Sequence, residues 1–191
     1  MKKIISVLIV LVLILGFAGC GGSNGAMVVD PNAQGGSETQ GTQVKPGESP
    51  AAGQDLYFET KGVKIRPYDL IDDVVKSIGQ PSDTFEAPSC AFQGMDVFYS
   101  YQGFQLTVND VDGGKHVTVV MMADDTVSIP QGVKIGQSEE KMKELMGDGL
   151  KAEGTLYRLE SGATTLQIQV KEGSVASIMY IYNSPTANTA E

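Results

Sequence analysis

Gly62-Val63-Lys64-Ile65 recurs as Gly132-Val133-Lys134-Ile135. After each copy the residues take the same course. Leu70, Ile71, Val74, Val75 and Ile78 fall at helical spacing and stop at Gly79. Ser138, Glu139 and Glu140 open a second helix with stripe residues Met142, Leu145 and Met146, stopping at Gly147. A left-handed glycine ends a helix readily, and Pro81 forbids continuation of the first. A fixed internal period is read before any single element.

Period-two alternation follows each helix. Val97, Tyr99 and Tyr101 alternate with Phe98 and Ser100, and Phe104, Leu106 and Val108 with Gln105, Thr107 and Asn109. Val117, Val119 and Met121 make a third run, with turns at Gln102-Gly103 and Asp112-Gly113-Gly114. The second set covers about 155–159, 164–170 and 175–182, with turns at Ser161-Gly162 and Lys171-Glu172-Gly173. Such alternation with glycine turns predicts half-buried antiparallel meanders. Leu56 to Thr60 and Val63 to Ile65 flank Lys61-Gly62 as a tight hairpin.

The expected fold is therefore α+β. Two tandem repeats (about 56–122 and 131–182) each hold a short helix and a three-strand antiparallel meander, with both helices packed on one face of the sheet. The GVKI copies lie 70 residues apart (62 to 132), the stop glycines 68 (79 to 147), and Tyr99 and Tyr157 only 58. The first unit thus has about ten extra residues between helix and sheet. They fall in a loop over 80–96 that carries Cys90, and a long loop is a natural place for a special role.

Outside this head, Lys2 and Lys3 precede an apolar run from Ile4 to Leu15 broken only by Ser6. This is a secretory signal, too short to span a bilayer. Gly16-Phe17-Ala18-Gly19-Cys20 closes it and resembles a bacterial lipobox, with Phe17 where that motif usually has Leu. The resemblance implies a signal peptide over 1–19 and a diacylglycerol on Cys20. Two acyl chains hold a protein at a membrane far better than one. The expected location is extracytoplasmic. Residues 20–54 are rich in Gly, Ser, Gln and Pro and poor in large apolar residues, so they read as a tether. The tether precedes a head over 55–182, and 183–191 reads as a tail.

The chain has 191 residues and a formal net charge of −9. Losing the two lysines of 1–19 takes −9 to −11. That balance argues against nucleic acid, whose phosphates need cations, and against docking on anionic headgroups. It suits a partner with a basic patch. With Cys20 acylated, Cys90 has no disulfide partner.

A helix followed by a meander, duplicated behind a lipoprotein signal, resembles the tandem-repeat beta-lactamase inhibitor protein fold. It is also similar to the small outer-membrane assembly lipoproteins of the SmpA/OmlA type. The residues carrying this are Val74-Val75-Lys76-Ser77-Ile78-Gly79-Gln80-Pro81, echoed without the proline at Lys143 to Gly149. Pro88-Ser89-Cys90-Ala91-Phe92 with Gly94, Tyr99 and Tyr101 also resembles a set of Gram-positive surface lipoproteins. The resemblance implies a binding surface rather than a reaction.

Cys90 and His116 are the sharpest enzymatic candidates, since a thiol and an imidazole form a nucleophile pair. No third orienting group is evident, and a buried cysteine with an exposed strand histidine explains both. Asp110 and Asp112 lack the spacing of a calcium loop, and an Asp-Gly turn accounts for them. One histidine and one free cysteine leave no zinc or copper cluster. We expect no catalytic set, metal or cofactor. The expected function is a membrane-anchored module binding a protein or envelope component, with Tyr99, Tyr101, Cys90 and Phe92 as candidate contacts. The alternatives are a thiol enzyme using Cys90 and His116, or a small-ligand sensor.

Overall fold

The computed structural model describes residues 55–184. The signal over 1–19, Cys20, the tether over 20–54 and most of the tail lie outside the described residues. The order is β1 (Phe58–Thr60), β2 (Val63–Ile65), α1 (Ile71–Ile78), β3 (Asp83–Pro88), β4 (Met95–Tyr101), β5 (Phe104–Val111) and β6 (Gly114–Met122). Then come α2 (Glu139–Met146), a short 3-10 turn, β7 (Lys151–Glu153), β8 (Leu156–Ser161), β9 (Thr164–Lys171) and β10 (Ser174–Tyr182). β1 and β2 form a hairpin. The other eight strands make one antiparallel sheet in the order β3-β4-β5-β6-β10-β9-β8-β7. The protein is α+β.

Each helix is followed by four strands, not three. The stretch expected as a loop over 80–96 holds β3, which pairs with β4 from Asp83↔Ser100 to Pro88↔Met95. Only Ser89 to Gly94 turn the chain. β3 and β7 are the two sheet edges, and both are largely exposed. With little to bury, they carry no apolar alternation. β3 ends in Pro88, which an edge strand tolerates.

Both helices bury the same kind of stripe. Ile71, Val74 and Ile78 of α1 and Met142 and Met146 of α2 point inward. They join one core with Leu106, Val120, Leu166, Ile168, Ile178 and Tyr180. Each such side chain contributes about 1.5–3 kcal/mol on burial. α1 packs on β6 and α2 on β10, so both helices lie on one face of the sheet. α2 has a side-chain cap, Ser138 Oγ accepting from the Lys141 N–H at 3.2 Å. Leu70 at the matching place in α1 provides none.

The two halves meet where β6 pairs with β10: Val119↔Ile181, Val120↔Tyr180 and Met121↔Met179. Their helices are tied to the sheet alike. The Tyr68 N–H donates to the Val117 carbonyl at 2.6 Å, and the Val117 N–H to the Asp69 carbonyl at 2.9 Å. In the second half Gly136 and Gln137 do the same with Val175, both at 2.8 Å. Each half also has a bulge next to that tie, opposite Thr107/Val108 in β5 and between Val175 and Ser177 in β10.

The GVKI copies themselves diverge. Val63–Ile65 is the second strand of the expected hairpin, with Ile65 fully buried. Val133 is instead the buried residue of a tight turn, its carbonyl accepting from the Ile129 N–H at 3.0 Å. No partner strand precedes the second copy. Among the described residues no helix is long and apolar enough to cross a membrane.

Candidate functional site

The sheet has a covered face and an open one. Register rather than residue type decides which side chains reach the open face. One row across it contains Phe85, Phe98, Thr107, Val119, Ile181 and Thr165. The next row contains Met121 and Met179 beside Gln105 and Gln167. Val119, Met121, Met179, Ile181 and Phe98 are half-buried there, and Phe85 is 63% exposed. Phe85 and Phe98 stack with ring centroids 6.0 Å apart. The centre of the open face is thus apolar, and no described element covers it.

Polar groups bound this patch. Asp96, Asn109 and Thr118 bridge β4, β5 and β6. Asn109 Nδ2 donates to Asp96 Oδ1 at 2.5 Å, and Thr118 Oγ1 donates to Asn109 Oδ1 at 2.5 Å. Asn109 and Thr118 are buried, so these bonds supply the partners that buried polar atoms require. At the far edge Arg158 pairs with Glu153 at 2.7 Å. Asp83 and Asp96, near opposite ends of the β3–β4 pair, form no ion pair among the described residues.

Tyr99 and Tyr101, expected on the exposed face, lie on the covered one. They pair with Leu106 and Phe104 and pack against the core. The Tyr101 ring stacks on Phe104 at 4.9 Å, and its hydroxyl donates to the Gly79 carbonyl at 3.1 Å. Burial, with Tyr99 beside it, pushes the Tyr101 phenol up. Cys90 is exposed and Phe92 half-buried, both in the β3–β4 turn. None of Phe85, Phe98, Val119, Met121, Met179 and Ile181 was among the sequence candidates, and alternation marked all but Phe85 only as members of strand sets whose inner side was unknown.

His116 is buried rather than exposed on its strand. Its Nδ1 meets the Tyr68 carbonyl at 2.7 Å, and its ring stacks on Tyr68 at 4.2 Å. No hydrogen bond joins it to Cys90. Its polar contact is structural, and the thiol–imidazole pair is not assembled. Among the described residues no group of three or more His, Cys, Asp or Glu is placed to hold a metal.

On the covered side a cleft of about 320 Å³ opens between the β1–β2 turn, the end of α1 and the β4–β5 turn. Ile78, Tyr101, Phe104 and Val127 form its apolar wall, and Lys61 is its charged group. Lys61 Nζ donates to the Ile78 carbonyl at 2.7 Å. Gly103 lets the two walls approach. A Cβ there would lie 2.6 Å from Thr126 Oγ1 and 2.7 Å from Val127 Cγ1, and φ is +82°.

No family model matches the chain, and no curated protein matches it. Among solved structures it is similar to an extracellular protein containing an SCP domain from Bacillus anthracis str. Ames. That match has 12% identity and a TM-score of 0.42, over 68% of this chain and 49% of that one. It is also similar to a cysteine-rich secretory protein from Staphylococcus aureus subsp. aureus Mu50. There the identity is 11% and the TM-score 0.41, over 66% and 47%. The chain spans about half the length of these proteins. The expected resemblance to the beta-lactamase inhibitor and SmpA/OmlA folds gains no support from these matches.

Proposed function

We propose that this chain is a lipid-anchored, extracytoplasmic binding module built from two copies of one folding unit, and that its open sheet face docks a protein partner. The observation carrying the reading is the uncovered apolar centre of that face, made by Phe85, Phe98, Val119, Met121, Met179 and Ile181. Contiguous exposed apolar surface marks interaction sites. The partner presents an apolar ridge with basic flanks. The chain carries −9, and Asp83 and Asp96 beside the patch form no ion pair among the described residues, so a second copy would be repelled where a basic surface is attracted. The duplication is supported by the matching backbone ties at Tyr68 and Gly136 and by the matching bulges. The anchor is supported by the residues ending in Cys20.

Two experiments test this. The intact mass of the mature native protein gains two acyl chains at Cys20, and Cys20→Ser releases it from the membrane. Release of neither the native protein nor the variant, or an unmodified Cys20, removes the anchor. For the face, Met121→Cys and Lys76→Cys are each placed in a Cys90→Ser background and labelled with an impermeant maleimide. The Met121→Cys thiol reacts slowly in intact envelopes and quickly once purified, while Lys76→Cys, on the wet side of α1, reacts quickly in both. Equal behaviour of the two positions removes the docking face.

A further inference from the structure

We propose that the cleft beside Lys61 is a second site, independent of the open face, and that it binds a small amphipathic carboxylate. Its volume of about 320 Å³ falls at the lower end of small-ligand pockets, which are mostly apolar with a few placed polar groups. Ile78 and Phe104 are each 4% exposed and form a fixed apolar floor, with Tyr101 and Val127 beside them.

The polar groups around this floor are unevenly engaged. The Tyr101 hydroxyl is committed to the Gly79 carbonyl, and Thr126 Oγ1 donates to Asp124 at 2.5 Å. Lys61 is the one charged lining residue. Its ammonium has three N–H donors, and one of them is held by the Ile78 carbonyl. That bond fixes the head of a long side chain over the cleft and leaves two donors for a ligand. Gln102 adds an amide with no hydrogen bond among the described residues. The partial negative charge at the end of α1 is already met by Lys61. A fixed cation above an apolar floor selects an acid with a hydrocarbon body. A neutral body gains only the floor, and an amine meets like charge.

The test is a two-dimensional amide NMR titration of the purified native protein with 3-phenylpropionate, 3-phenylpropanol and 3-phenylpropylamine. The acid shifts the amides of Lys61, Gln102, Gly103 and Val127 saturably. The alcohol binds there roughly tenfold more weakly, the loss of one charge-assisted hydrogen bond, and the amine does not bind. Lys61→Met reduces the acid to the affinity of the alcohol and leaves the alcohol unchanged. Lys61 also caps α1, so Val127→Trp is the second variant. It fills the cleft from the opposite wall and abolishes binding of both ligands. Equal binding of acid and alcohol overturns the proposal, as do shifts centred on Val119 and Met121 or the absence of saturable shifts. Occupancy of the open face by a partner in the envelope is read separately by the thiol labelling.

Discussion

Tyr68 and Gly136 occupy the same place in the two halves, yet they are opposite kinds of residue. Each precedes its helix by the same interval, and each donates its N–H to the strand beside it. Each holds a positive φ, +79° for Tyr68 and +84° for Gly136. Glycine meets that demand freely, whereas a bulky side chain is strained there. What holds Tyr68 is its surroundings. Its ring stacks on His116 and lies 4.9 Å from Tyr182, and its hydroxyl donates to Asp112 at 2.8 Å. The joint at Gly136 is plain, whereas the one at Tyr68 carries an aromatic cluster, and the edge strand β3 is longer than β7.

The comparison breaks most completely at the shared interior. Tyr180 is fully buried in β10 opposite Val120 of β6, and burial pushes its phenol well above the usual range. Tyr180→Ala costs about 3–5 kcal/mol, as large aromatic deletions do. In urea, probes in both halves lose structure in one transition. Separate midpoints would show two interiors.

The matching turns offer a smaller contrast. Gly103 and Gly162 both have positive φ, but a Cβ on Gly162 meets nothing within 4 Å. Gly162→Ala costs about 1 kcal/mol from backbone conformation alone. Gly103→Ala adds the clash with Thr126 and Val127 and costs at least about 2 kcal/mol. Thermal or urea unfolding of the pair checks this, and equal losses would mean that the cleft walls do not press on Gly103.

The joint itself is sharpened by two replacements of Tyr68. Both Tyr68→Ala and Tyr68→Gly lose the stacking, but only Ala keeps the strain. Tyr68→Gly is therefore the more stable of the two by about 1 kcal/mol, measured by urea unfolding. A less stable Gly variant would mean that the joint is unstrained.

The weakest effect belongs to an ion pair at the start of the first half. Arg66 grips Asp55 with hydrogen bonds at 2.5–2.9 Å. Those hydrogen bonds hold the Asp55 carboxyl below its ordinary value of 3.8. A depressed carboxylate adds stability above its unfolded pKa, lost as pH falls through the folded value. Both partners are more than a third exposed, so solvent limits the effect to about 0.2–1 kcal/mol. Asp55→Asn is less stable than the native chain by that amount near pH 7, and the gap closes in acid as pH falls through the depressed folded value. A gap that persists in acid would assign the loss to something other than charge.

Much of the architecture was legible in the sequence. The hairpin around Lys61-Gly62, both helices with their glycine stops, and six sheet strands stand where periodicity put them. The offset of 68 residues recurs between Tyr68 and Gly136, and the offset of 58 between Val117 and Val175. β3 and β7 were invisible because edge strands with little to bury show no alternation. The face assignment failed for a related reason. Both residue sets in β4 carry aromatics, Tyr99 and Tyr101 in one and Phe98 in the other, so alternation could not say which side was inward. The cleft was out of reach because it gathers residues from 60–61, 78, 101–102, 104 and 126–127. No periodicity links such segments.

The most direct test of the docking face needs no substitution, because three methionines report on it. Met121 and Met179 lie on the open face, and Met95 stands 43% exposed at the start of β4 on the opposite side of the sheet. Pulsed hydroxyl-radical oxidation is read by mass spectrometry on intact envelopes and on the purified protein. In envelopes Met121 and Met179 are protected while Met95 oxidises freely. Raised salt weakens that protection, as a basic partner requires. If Met121 and Met179 oxidise as fast in the envelope as in purified protein, the open face has no partner.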